Sequence, residues 1–419
     1  MKPVFKLSFA LILCALFVSG CQSGDSSEPG NHTTTSIQVT EIASPAQSES
    51  RYPNLYTDNT GTVYLSWTRV VSDTVFIEYA SFNGGAFSEA AHIHTGHPDN
   101  FFVNWADFPS VVGHNGNPLA THWLGKVDGG TFAYHVDVSF NTDDSGWAEA
   151  FTAHLDHSPT EHGFVSLEPI SDDTVLGIWL DGRYTDGGHG GEDFAHSMTL
   201  RSAELSPGGV VNRKNEIDDT VCDCCQTDLV PVGDDFFAVY RNRSEGEIRD
   251  IAFSRYTTET GEWSAPETLH ADGWEIHGCP VNGPRAASHY ENVAIIWYTQ
   301  ADDKPQVKLS VSSDAGFSFS NAITLETVNP AGRTDVVYTN DGRLFVSWLD
   351  LIDGEGHIML QEITNGAEGG NGPAVQVAVT SATPRSGFPR MTKTDNGILF
   401  AWTATEPAMQ VKTTLVNID

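Results

Sequence analysis

Short apolar runs recur along the chain, and each closes on an aromatic residue. VYLSW ends at Trp67, LATHW at Trp123, VLGIW at Trp179, FFAVY at Tyr240, VAIIW at Trp297, LFVSW at Trp348 and ILFAW at Trp402. The intervals between these aromatics are 56, 56, 61, 57, 51 and 54 residues. The runs are of strand length, rich in β-branched and aromatic side chains and bounded by Gly, Asn and Asp, so they read as strands. A second pattern marks an outer strand: GGAFSEAAHI (84–93), SGWAEAFTAH (145–154), TGEWSAPETL (260–269) and AGFSFSNAIT (315–324). A unit of about 55 residues cannot bury a sheet face alone; four short strands make one blade, and blades stacked around an axis share a core. The pattern predicts an all-β, seven-bladed β-propeller over residues 36–419. The last unit shows only three strands, FPRMTKT, GILFAWT and AMQVKTTLV, so SIQVTEIA (36–43) is expected to supply the fourth and close the ring. Six blades is the alternative, because the third unit has a poor outer strand around LSPGGVV (205–211).

The first residues break the pattern. Lys2 and Lys6 precede an apolar run from Leu7 to Val18, the layout of a secretory signal. Val18-Ser19-Gly20-Cys21 resembles the lipobox of bacterial lipoproteins. That resemblance implies a signal peptide over 1–20, lipidation of Cys21 and an exported protein anchored in the bacterial cell envelope, at the outer membrane or cell surface. Residues 21–35 are polar and read as a flexible tether. No later segment has the length and apolarity of a membrane span, so membrane contact is expected through the lipid alone. The formal net charge of −33 argues against nucleic acid and anionic surfaces as partners. Any anionic ligand then needs a local cluster of arginines.

Propeller ligands gather where the innermost strands begin, and the aromatics provide a ruler for that level. Cys222 lies 18 residues before Tyr240 and Cys279 lies 18 before Trp297, while His162 lies 17 before Trp179. Equal offset brings CDCCQT (222–227) beside Cys279. Cys222, Cys224, Cys225 and Cys279 then have three readings: disulfides, a zinc or copper site completed by His162 or His277, or a reactive thiol. Polar residues at the same level are the candidates for chemistry. Glu161 and His162 lead into blade three, and Asp181, Arg183 and Tyr184 follow its second strand. Arg241, Arg243 and Arg249 stand in blade four, Asn282 leads into blade five and Arg333 into blade six. His122 and His135 lie on the second and third strands of blade two. His162, Glu161, Asp181 and His122 are the expected acid–base groups, and the arginines, Tyr184 and Asn282 the expected substrate contacts. Each has a plainer reading as a turn residue, a surface ion pair or a hydrogen-bonded structural group.

Ser312-Ser313-Asp314-Ala315-Gly316-Phe317-Ser318-Phe319 resembles the Asp-box of the sialidase superfamily, a turn between outer strands, and NTDDSGW (141–147) is a degenerate copy. SRYPNLYTDNTGTVYLSW (50–67) resembles the start of the sialidase propeller, with Arg51 matching the first of that family's carboxylate-binding arginines. TEHGFVSL, WLDGR, CDCCQT and CPVNGP resemble a group of exported, sialidase-like bacterial proteins. The resemblance implies an enzyme that cleaves an anionic oligo- or polysaccharide, as a glycoside hydrolase or a polysaccharide lyase. Seven-bladed lyases provide the analogy for the second, with histidine, tyrosine and arginine removing a proton beside a uronate carboxylate; His122, His135, Tyr184 and Arg201 would take such parts. The alternatives are a glycan- or protein-binding propeller without turnover and a metal-binding one.

Overall fold

Seven antiparallel sheets make up the protein. The computed structural model describes residues 37–142, 146–185, 194–364 and 371–418; the expected signal peptide, tether and Cys21 lie outside them. The innermost strands of blades one to seven are Ser50–Thr57, Ser110–His114, His162–Pro169, Asp228–Val232, Arg285–His289, Asp335–Tyr338 and Arg390–Thr394. Each pairs with a second strand that carries one of the seven aromatics. The strand Ile37–Ile42 lies antiparallel to Gln410–Ile418 as the outermost strand of blade seven. Such a pairing ties the two ends of the chain into one sheet.

Blade three departs from the expected outer strand. LSPGGVV is the tip of a long hairpin between Met198–Ser206 and Val210–Val221, the latter 12 residues long. Gly208 and Gly209 take φ of 77° and 78°, the left-handed values such a tip requires. The segment 312–319 likewise forms the turn after the third strand of blade five. Asp314 Oδ1 accepts Ser318 N–H at 2.8 Å, and burial-free hydrogen bonding from Ser318 and Ser312 holds its carboxyl at about 2.

Adjacent blades share apolar cores. Phe237, Val239 and Phe253 of blade four pack with Ile295 and Trp297 of blade five. Trp67, Trp297 and Trp348 are fully buried, each contributing on the order of 3 kcal/mol by removal from water. Polar hooks reinforce these seams where an innermost strand meets the next. Asp107 accepts Phe164 N–H at 2.6 Å, Asp228 accepts Ala286 N–H at 2.8 Å and Asp335 accepts Met391 N–H at 2.9 Å. Each hook reaches one blade onward along the chain.

The register also builds a ring. The innermost residues opposite the position just before each aromatic are Asn54, Ser110, Ser166, Asp228, Arg285, Asp335 and Arg390. Six of these seven line one axial cavity of about 100 Å³. Above it, on the side where the innermost strands begin, loops cover the axis. Trp105 stacks on Phe388 with centroids 5.8 Å apart, and the Arg333 guanidinium lies 5.7 Å from the Trp105 ring. Gln226 Nε2 donates to Ala106 O at 2.8 Å, and its Oε1 accepts Gly283 N–H at 3.0 Å. Gly283 has to be glycine, since a Cβ there would stand 1.9 Å from Gln226 O.

Candidate active site

With the axis covered, the polar groups that meet solvent on this face are displaced toward blades two and three. His135 begins the third strand of blade two, His154 follows its outer strand, and His162 begins the innermost strand of blade three. Their ligand-capable nitrogens lie within 4.8 Å of one another. His154 and His162 stack with centroids 3.8 Å apart, and His135 meets both edge-on at 4.6 and 5.4 Å. Asp156 Oδ2 receives His154 Nδ1 at 3.0 Å and His162 Nε2 at 3.2 Å. Arg183 donates to Asp181 through Nε and Nη2, both at 2.7 Å, and reaches Asp156 at 3.1 Å. Trp179 Nε1 donates to Asp181 at 3.0 Å. Burial acts to raise both carboxyls, but the hydrogen bonds from His154, His162 and Ser158 to Asp156, and from Arg183 to Asp181, outweigh it and hold both below the ordinary range.

The network reaches solvent at two ends. His135 is half-buried and its Nε2 lies 3.3 Å from the Ser158 carbonyl, which can only accept; the proton therefore sits on Nε2 and the lone pair on Nδ1. Burial, then His154, lowers its pKa, so the ring is neutral at pH 7. At the other end Arg201 Nε donates to Thr199 Oγ1 at 3.1 Å and lies 3.9 Å from Asp181, while Nη2 is ion-paired with Glu216 and reaches the Tyr184 hydroxyl at 3.4 Å. Tyr184 is 56% exposed. Beside His135 runs a groove of about 480 Å³ that Trp123, Lys126 and Asp137 also line. Burial pushes Asp137 up to about 6.

Several expected site residues lie where no substrate reaches. His122 is 1% exposed, bonds Ser110 Oγ at 3.0 Å and is pushed down to about 3 by burial, so it is a neutral interior histidine. Glu161 is buried and accepts the Tyr134 hydroxyl. His162 and Asp181 are fully buried and can act only by holding neighbours. Arg241 spends its fork on the carbonyls of Asn282, Arg249 and Tyr298, at 2.5–3.1 Å, over the Trp274 ring. Arg249 and Arg243 are buried against Glu247 and Asp223. Asn282 Oδ1 accepts Arg333 N–H, and Arg333 donates to Ser386 Oγ at 2.6 Å and Thr383 O at 3.0 Å. Arg51 pairs with Glu49 at 3.5 Å. These side chains brace loops. His154 and Asp156 were not singled out in the sequence, although H-x-D-x₅-H (154–162) carries the signal.

Among the cysteines, Cys222 and Cys225 form a disulfide. Cys224 is buried and its thiol lies against that of Cys279; burial and this neighbour raise its pKa well above the ordinary value. Two thiols fall short of the four donors of a structural zinc site, so the expected zinc or copper site loses two ligands. His277 does not supply a replacement: its side chain is 77% exposed and lies 3.5 Å from Glu275. Peptide mapping without reduction is expected to find Cys222 and Cys225 linked within one peptide; either of them linked to Cys279 would contradict the structure.

Asp107 offers a test of the buried electrostatics. Burial pushes its carboxyl up to about 8, with Glu161 nearby adding to the rise and the Phe164 N–H opposing it. The folded state thus keeps a proton that the unfolded chain releases near pH 4, and stability from this group falls as pH rises from about 4 to 8. Asp107→Asn is expected to flatten that part of the stability–pH profile, read by thermal melts; an unchanged slope would contradict it.

No family model matches the sequence, and no curated protein matches it. Solved structures do. An ulvan lyase, described as a new family of polysaccharide lyase and bound to a GlcA(1-4)Rha3S oligosaccharide, aligns at a TM-score of 0.53 and 12% identity, over 92% of this chain and 94% of that one. A protein of unknown function from Dyadobacter fermentans aligns at 0.49 and 10% identity, over 92% and 100%. A Hadza microbial sialidase aligns at 0.47 and 10% identity, over 87% and 65%. At these identities the likeness is one of fold. The chain is a seven-bladed β-propeller whose structural neighbours include sialidase-like and polysaccharide-lyase propellers.

Proposed function

We propose that the protein cleaves an anionic, uronate-containing glycan by β-elimination on the face above blades two and three. The observation that carries this reading is the link between a neutral, half-buried His135 and the Tyr184–Arg201 pair, of which Tyr184 is exposed, through one continuous network of buried acids and imidazoles. His135 Nδ1 takes the proton from the carbon beside the uronate carboxylate. The electron pair forms the new C=C bond as the glycosidic C–O bond breaks, and Tyr184 gives its proton to the leaving oxygen. Arg201, whose Nη2 is paired with Glu216, neutralises the carboxylate once the substrate displaces Glu216, which makes the carbon acid strong enough to react. Asp156, Asp181, His154 and His162 are positioning residues. A hydrolase reading is weaker, because Asp156 and Asp181 are both held by Arg183, which leaves Asp137 in the groove beside His135 without a second free carboxylate from this network.

The ulvan lyase neighbour supports a glycan partner by analogy of fold. Lipidation at Cys21 would present the site at the cell envelope. Incubation with uronate polymers tests the activity: the ultraviolet absorbance of an unsaturated uronate should rise. New reducing ends without that absorbance would mean hydrolysis, and binding without products would mean a lectin-like propeller. The pH profile gives a further check. Because burial lowers the His135 pKa, protonation silences the base only below the usual imidazole range. The acidic limb of kcat/KM should therefore fall below pH 6.5 and disappear from that position in His135 variants; a limb above pH 6.5 would contradict the assignment.

A further inference from the structure

The axial ring holds a chain of ion pairs that stops short. Arg285 bonds Asp228 at 2.9 Å and approaches Asp335 at 3.4 Å. Arg390 comes next. It is only 6% exposed, and its one charged contact is Nε to Asp335 at 3.8 Å, too long for a hydrogen bond. Its Nε–H is buried without a hydrogen-bond partner among the described residues, and the side chain lines the axial cavity. Its ring neighbour across the seam to blade one is Asn54, another polar group lining that cavity. A buried guanidinium left this way costs several kcal/mol unless something satisfies it.

We propose that the cavity beneath Trp105 binds one small monovalent anion, a halide or a short carboxylate, on Arg390 and Asn54. The size and charge of the chamber fit this class. A volume of about 100 Å³ admits chloride or acetate with room for accompanying water. The acids around it do not repel such an ion: burial pushes Asp107 and Glu168 up to about 8, so both are protonated at pH 7, and Asp228 is already paired with Arg285. Glu168 also accepts the Tyr56 hydroxyl at 3.0 Å. The anion completes the ring at the seam between blades seven and one, where the chain closes on itself. It is a structural ligand, separate from the groove beside His135.

Thermal melts at constant ionic strength test this, with chloride, acetate or phosphate exchanged against a large anion such as gluconate. The Tm should rise by several degrees and saturate with chloride or acetate, following the linkage of binding to stability, and phosphate should do less. Arg390→Leu should lose that dependence. If that variant does not fold, Asn54→Asp decides: its carboxylate replaces the anion on Arg390, so the variant should be as stable in gluconate as the native protein is in chloride. Anion dependence equal in native protein and Asn54→Asp, or none in the native protein, would overturn the proposal.

Discussion

His135→Ala is expected to lower kcat/KM on a uronate polymer by about 10²–10⁴-fold, the usual worth of a positioned proton acceptor. The loss should fall on kcat, because Arg201 and Tyr184 still hold the substrate. The fold should survive, since His135 is half-buried and its ring bonds the Ser158 carbonyl. His122→Ala provides the contrast. That residue lies inside blade two on Ser110, so its loss should cost stability and leave kcat near its native value. Equal kcat losses in both variants would point to a general packing effect and against a base at His135.

Arg241→Met should give the largest loss of stability, at least about 3 kcal/mol, since hydrogen bonds from a charged group contribute about 1.5–3 kcal/mol each. Four donor contacts to three carbonyls disappear, and those carbonyls of Asn282, Arg249 and Tyr298 stay buried. Burial lowers the arginine to about 10, so the charge is retained at neutral pH by its acceptors and nearby carboxylates. Urea unfolding at pH 7 would show a lower midpoint with an unchanged slope. A variant with native stability and weakened glycan binding would restore Arg241 to the substrate site.

The blades were legible because burial acts on every unit alike. Each second strand needs an aromatic at the same depth, so Trp67 through Trp402 repeat, and a repeat survives whatever else the unit carries. The hairpin tip at Gly208 and Gly209 looks like a poor strand in the sequence because the strand after it, VVNRKNEIDDTV, is polar and largely exposed. The channel ring was illegible for the opposite reason. Asn54, Ser110, Ser166, Asp228, Arg285, Asp335 and Arg390 are equivalent in register but spread over four residue types, so only pairing reveals them.

The candidate site was legible in part. His135, Tyr184 and Arg183 are named by their places on the strands and Arg201 by the lyase analogy, and the structure brings them around one set of buried acids. Arg241, Arg249 and Arg333 were drawn in by scarcity, because 22 basic residues among 55 acidic ones look like ligands for an anion. The same imbalance works the other way in the folded chain. An arginine surrounded by acids and carbonyls finds internal partners, as Arg243 does with Asp223 and Glu247. Sequence spacing gives the level of a side chain and not whether its charge is already spent.

The most direct measurement is the structure of the product end, by NMR of oligosaccharides released from a uronate polymer. The account predicts a double bond beside the carboxylate in the new non-reducing unit, formed by native protein and lost with His135→Ala. Saturated ends, or unsaturated ends formed equally well without His135, would contradict it.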